Sequence, residues 1–324
     1  MAVGQDFPFR LLLTIVKRTH FMNKFLRTLM TICGIIAGCT GCRSQSYSND
    51  HPSYVIFDKS GDKVSYSQML KTISKSDICL FGEMHNDPIS HWLEMSLEKD
   101  LFAIKGDRLV VGAEMWESDN QQVLDEFMKH GLIDESTYEE NSHLWTNFAD
   151  YRPMMNFANE NNIRFVATNV PRRYARMVSD FGPEVLDSLD KNVYQWLAPM
   201  PLKVDYNEVI YTFIGESFKQ MGSAPMMKKN VQNIVAAQAL KDATMAHFIA
   251  KAMNPGDFFF HFHGELHSAF HSAIAYYLKQ YAPDKKICTI SVLQSEKPMS
   301  ETFNKNRADF TIFVPVDMTK TYEE

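Results

Sequence analysis

The chain has 324 residues, of which 45% are hydrophobic and 22% charged, with a formal net charge of −6. This is ordinary globular composition, enough to bury a substantial core in one large domain or one domain with an insertion. Binding to a polyanion is disfavoured, because phosphate contacts need clustered Lys and Arg that an acidic chain of this kind does not supply.

The first forty residues read as a targeting segment. "MNKFLRTLMTICGIIAGC", residues 22–39, has a basic start at Lys24 and Arg27, an apolar run from Leu29 to Ala37 and small residues before Cys39. That is the layout of a secretory signal, and the run is too short to span a bilayer. Met22 is then the expected true start, since residues 1–21 add nothing a signal needs. A plain signal peptide or an uncleaved anchor helix would share the apolar run, but "IAGC" resembles a bacterial lipoprotein box. On that reading residues 1–38 are removed and Cys39 is diacylated. The expected location is the cell envelope, at the outer membrane. Loss of residues 1–38 leaves 28 basic against 38 acidic residues, a formal net charge of −10. Cys42 falls in the tether, while Cys79 and Cys288 lie inside apolar runs and read as buried free thiols rather than a disulfide framework.

Residues 39–52 form the expected lipidated tether, polar and turn-rich in "RSQSYSNDHP". A single folded domain spans 53–324. "YVIF" and "KVSY" around "DKSGD" predict a small β-hairpin. Six short, continuous apolar runs then alternate with longer amphipathic stretches: 77–83, 108–116, 163–170, 257–264, 286–293 and 309–316. Continuous rather than alternating apolarity predicts strands covered on both faces, hence an α/β fold with a mainly parallel central sheet flanked by helices. Asp87-Pro88 marks a helix start with an N-cap and a proline at the first helical position. "SDNQ", 118–121, reads as a capping box. Between about 183 and 230 the strand signal disappears, and short helices rich in Met, Tyr and Pro are expected to form an insertion capping the crevice at the carboxyl ends of the strands. A long helix over about 231–253 returns the chain to the core.

The unusual polar residues fall where these strands end, the edge at which open parallel sheets build their sites. The first run ends in Glu83 and His85, the second in Glu114 and Glu117, the third in Asn169, Arg172 and Arg173, and the fourth in "HFHGELHSAFH", 261–271. Along a strand His261 and His263 share a face. A helix from about Glu265 would set His267 and His271 together at i, i+4. His263 and His267 are then the pair nearest the crevice, and His261 reads as core. The zincin pattern is absent, because Gly264 stands where its glutamate belongs. A divalent metal held by Glu83, His85, Glu114 and His267 from separate strand ends is chemically reasonable. So is a purely structural network, because a Glu at an apolar strand end must be paired by a histidine, Arg152 or Arg172 if it is buried. Tyr151 is either a surface aromatic before Pro153 or a phenol with a role as ligand or donor. Serine-hydrolase, Walker-A and dinucleotide patterns are all missing.

Read together, "LFGEMHNDPISHWLEMSLEKDL", "VVGAEMWESDNQQVLDEFM", "DYRPMMNFANENNIRFVATNVPRR", "AAQALKDATMAHFIA" and "FFFHFHGELHSAFHSAI" resemble the ChaN-like haem-binding lipoproteins, relatives of the erythromycin esterases and the Tiki/TraB proteins. The resemblance covers about Ser76 to Leu293. Its Gly-Glu-x-His pattern falls on Gly82, Glu83 and His85, and its second-strand glutamate on Glu114. Its Asn-x-Pro-Arg falls on Asn169, Pro171 and Arg172, its helix pattern on Gln238, Asp242, Met245 and Ala246, and its late Gly-x-x-His on Gly264 and His267. The resemblance implies a lipid-anchored haem acceptor in iron or haem uptake, with two haems at a homodimer interface, tyrosine as iron ligand and histidine assisting. Tyr151, Arg152, Asn169, Arg172, His263 and His267 are the residues expected to serve the ligand, and Tyr194, Tyr206 and Tyr211 are further candidates for the iron-binding tyrosine. The alternative is a hydrolase, esterase-like or peptidase-like, in which Glu83 or Glu114 is the base, His85 and His267 orient or protonate, and a divalent metal assists.

Overall fold

Eight strands form a single sheet in the computed structural model, which describes residues 51–128, 131–220, 230–301 and 303–322. The expected signal, Met22, Cys39, Cys42 and most of the tether lie outside the described residues, as does part of the insertion, 221–229. Among the described residues no helix is long and apolar enough to cross a membrane.

The predicted hairpin is β1 (Val55–Asp58) with β2 (Lys63–Val64), and Gly61 takes a positive φ in its loop. All six apolar runs are strands: β3 (Ile78–Glu83), β4 (Leu109–Glu117), β5 (Arg164–Asn169), β6 (Phe258–Gly264), β7 (Ile287–Ser295) and β8 (Phe310–Pro315). The spatial order is β2-β1-β8-β7-β3-β6-β4-β5. The six are mutually parallel, and the hairpin joins antiparallel along β8. Cys79 and Cys288 are register neighbours on β3 and β7, both buried and both free.

One face of the sheet, with Phe81, Val111, Phe260 and Phe262, packs against α1 (Tyr66–Ile73), α2 (Pro88–Lys105), α3 (Gln121–Met128), α4 (Glu135–Asn141) and α5 (Phe148–Glu160). The other, with Leu80, Val110 and Phe259, meets α7 (Val209–Gln220), α8 (Val231–Ala252) and α9 (Ile274–Tyr281). Helix α6 (Arg172–Phe181) and the short turns that follow it pack on α8. This two-sided cover is why the strands read as unbroken apolar runs.

Helix α2 starts as expected. Asp87 Oδ1 accepts from the Ser90 amide at 2.8 Å, and Pro88 occupies the first turn. Two local expectations fail. Ser118 makes no cap; its hydroxyl donates to the Trp196 carbonyl, tying β4 to the insertion, and 118–120 is a short 3-10 turn. Among the described residues a capping box is found instead at Ser65 with Gln68, at the start of α1. Nor does a helix run through His267 and His271. Two 3-10 turns, Glu265–His267 and Ala269–His271, are broken by left-handed backbone at Phe270, His271 and Ala273. Arg307 holds this hook, pairing with Glu265 through Nε and Nη2, both at 2.7 Å, while its backbone carbonyl accepts from the Phe270 amide. A bidentate, partly buried pair of this kind overrides helix propensity.

Candidate functional site

The carboxyl ends of β3, β6, β4 and β5 lie side by side, so the polar residues that close each run meet at one edge of the sheet. Register divides them between the two faces. His263 is the partner of Gly82 and His261 the partner of Gly112, so these positions share a face. Glu114 follows Gly112 by two and joins the His263 face. Glu83 follows Gly82 by one and points the opposite way.

Glu83 sits on the face covered by α2 and α5. It is fully buried, accepts from Tyr151 Oη at 2.6 Å and lies 2.6 Å from His85 Nδ1, with His91 Nε2 3.3 Å from its other oxygen. Burial opposes its charge, but hydrogen bonds to His85 and His91 win and hold the carboxyl below its usual range. His91 is correspondingly lifted, against burial, by Glu83. Burial pushes the Tyr151 phenol well above its usual value, reinforced by Glu83, so it is a hydrogen-bond donor here. Burial and the neighbouring Glu83 also raise Glu94 well above its usual range.

Glu114 sits on the face covered by α8. His267 lies between two carboxylates, with Nε2 3.0 Å from Glu114 Oε1 and Nδ1 in a short contact with Asp242 Oδ1. Burial disfavours the imidazolium, yet Glu114 and then Asp242 raise His267 to about 9, so it is charged at neutral pH. The benefit falls unequally on the partners. Glu114 drops well below its ordinary range despite burial, whereas burial keeps Asp242 above its own. Glu114 Oε2 also accepts from the Gly264 amide at 2.9 Å, and Tyr211 donates to Asp242 at 2.8 Å. His85 links the two faces, with Nδ1 on Glu83 and Nε2 4.0 Å from Glu114. Glu83, His85, Glu114 and His267 are therefore neighbours in a chain across the sheet edge and do not form a single four-donor cage.

The paired histidines of β6 form a neutral relay. Thr168 Oγ1 donates to the Ala113 carbonyl, so it accepts from His261 Nε2 at 2.7 Å. His261 Nδ1 then accepts from His263 Nδ1 at 2.9 Å, leaving a bare lone pair on the fully buried His263 Nε2. Burial lowers both, His261 to about 3 and His263 well below its ordinary value.

The remaining expected residues go elsewhere. Asn169 donates to the Glu114 carbonyl at 2.9 Å. Arg172, largely exposed, pairs with Glu117. Arg152 pairs with Glu135 and Glu139 on α4 rather than with a strand-end glutamate. His271, half exposed, lies 3.3 Å from Thr289 Oγ1.

The family model of haem-binding uptake proteins, Tiki superfamily, ChaN, matches residues 69–278, well over half of the chain. The chain belongs to this family. The fold agrees: it is similar to a Campylobacter jejuni ChaN solved with cofacial haem, with a TM-score of 0.61 at 16% identity, covering 81% of this chain and 96% of that one. A Bacillus cereus protein is similar at a TM-score of 0.41 and 13% identity over 70% of this chain and 68% of its own. No curated protein sequence matches the chain.

Within this ChaN-family chain, sequence reasoning passed over His91, Glu94 and Glu98 as an ordinary amphipathic helix. Their signal was present: spaced by three and four, they occupy the buried stripe where a helix carries apolar residues, alongside Leu97 and Leu101. Tyr211, a candidate iron ligand by sequence, ties α7 to α8 through Asp242.

Proposed function

We propose that this ChaN-family chain is a haem acceptor of iron or haem uptake, anchored at the envelope through Cys39. The observation that carries the reading is a stripe on the insertion. Val209 and Phe213, four apart on α7, are 53% and 37% exposed, and Tyr206, 39% exposed, stands in the turn just before the helix, so an apolar helix face is offered with a phenol next to its start. Such a surface fits a flat apolar ring, and covering it by a second copy suits the paired arrangement implied by the resemblance. Of the four candidate tyrosines, Tyr151 and Tyr211 are enclosed and donate to carboxylates, and Tyr194 is half-buried, donating to the Leu186 carbonyl. Tyr206 is the accessible one. Bound haem would supply the iron chemistry; the residues named here supply ligand, cover and orientation.

The test is titration with haemin. The wild-type protein is expected to give a saturable Soret shift, weakened at least about tenfold in Tyr206→Phe, as loss of a ligand demands, and retained in Tyr151→Phe. Absence of saturable binding by the wild type rejects the reading.

The hydrolase alternative draws support from the buried Glu114–His267–Asp242 arrangement and the free lone pair of His263. In it the charged His267 serves as acid and orienting group, while His263 and the carboxylates are the bases. Ester or peptide turnover lost in Glu114→Gln is the result it requires.

A further inference from the structure

Glu83 and helix α2 bring together an unusual group of buried donor atoms. One donor atom from each of Glu83, His91 and Glu94 lies within 4.8 Å of the other two. Glu83 and Glu94 are fully buried and His91 is 7% exposed. Nδ1 of His91 and both carboxyl oxygens of Glu94 make no hydrogen bond, and His91 Nε2 and Glu83 Oε2 meet only each other, at 3.3 Å, which is costly for atoms removed from water. His85 acts on Glu83, while the acidic side chains of Asp87, Glu98 and Asp150 stand around Glu94 and His91. Five acidic side chains thus surround two imidazoles.

We propose that Glu83, His91 and Glu94 bind one divalent first-row transition cation. One imidazole nitrogen with two carboxylate oxygens is a donor set for Zn²⁺, Mn²⁺ or Fe²⁺, and three protein ligands leave room for a water or a substrate oxygen. Their surroundings suit ligands: Tyr151 Oη and His85 Nδ1 hold the other oxygen of Glu83, both at 2.6 Å, and so orient its carboxylate. Tyr151 stacks edge-on against His91 at 5.0 Å between ring centroids and fixes the imidazole plane. The ion would take the place of the proton that Glu94 otherwise needs in order to sit beside Glu83. This site differs from the four-residue set expected from the strand ends, sharing only Glu83 with it, and it is independent of the haem stripe on α7.

The experiment strips the purified protein with a chelator, reloads it with Zn²⁺ or Co²⁺, removes free ion and measures metal content together with the visible spectrum of bound Co²⁺. The wild type is expected to retain about one ion per chain. Glu94→Gln and His91→Ala should lose at least about tenfold in retention. Glu98→Gln, equally buried on the same helix but outside the set, should retain the wild-type content. Circular dichroism confirms that each variant is folded, and if Glu94→Gln is not, the wild-type content and Co²⁺ spectrum decide alone. Wild-type protein that retains no more ion than a buffer control, or equal retention by Glu94→Gln and Glu98→Gln, overturns the proposal; the first outcome leaves Glu94 as a buried acid sharing a proton with Glu83. Haemin titration of Glu94→Gln separates this result from the haem reading, because it is expected to be unchanged.

Discussion

Replacing Glu114 with glutamine keeps the shape of the site and removes the charge that chiefly holds a proton on His267. In the native protein that proton is retained up to about pH 9 instead of 6.5. At 1.36 kcal/mol per unit the shift corresponds to about 3 kcal/mol of folding free energy. The sign follows from the direction of the shift. A histidine whose folded pKa is raised contributes its full stabilisation below pH 6.5 and loses it as pH rises through about 9. Wild-type stability should therefore fall by up to about 3 kcal/mol more than that of Glu114→Gln between pH 6.5 and 10, the other titrations being common to both. Urea unfolding followed by circular dichroism, with both proteins measured at the same pH values, reads this difference directly. Parallel stability profiles, agreeing within about 1 kcal/mol, would show that His267 does not owe its charge to Glu114.

Gly82→Ala places a Cβ 3.0 Å from the Glu265 Cα and 3.1 Å from the Ile290 carbonyl oxygen. Both obstacles are backbone, so overpacking is expected to cost about 1–3 kcal/mol in denaturant unfolding; an unchanged midpoint would mean that the hook after β6 yields easily. Tyr151→Phe removes the 2.6 Å hydrogen bond to Glu83 and should cost about 1–3 kcal/mol in the same assay while leaving haemin binding intact.

Much of the architecture is written in the chain. Apolar runs such as "DICLFGE" and "DFFFHFHG" are unbroken because both faces of their strands are covered, and that pattern predicts a parallel sheet without any contact being known. Asp87-Pro88 and the long helix after the insertion were equally legible, since a cap and a helical period are local properties. The same local logic misread "SDNQ", where the Ser118 hydroxyl finds the Trp196 carbonyl, nearly eighty residues away, in place of its own helix. It also misread the stretch after Gly264, where Arg307 holds Glu265 and forces left-handed backbone on residues that a local reading makes helical.

The sequence by itself determined that Glu83, His85, Glu114, Asn169 and His267 would gather at the carboxyl ends of neighbouring strands, because strand ends in a parallel sheet all point to one edge. Only the tertiary structure decided which of them meet. The registers of β6 against β3 and against β4 set Glu83 and Glu114 on opposite faces, and a one-residue shift in either pairing would have put them on the same face. From that parity follows the division of the site. Glu83 is left with the imidazole and carboxyl of α2, Glu114 with the charged His267 and the carboxylate of α8, and the ionisation of each group is fixed by neighbours that no stretch of sequence contains.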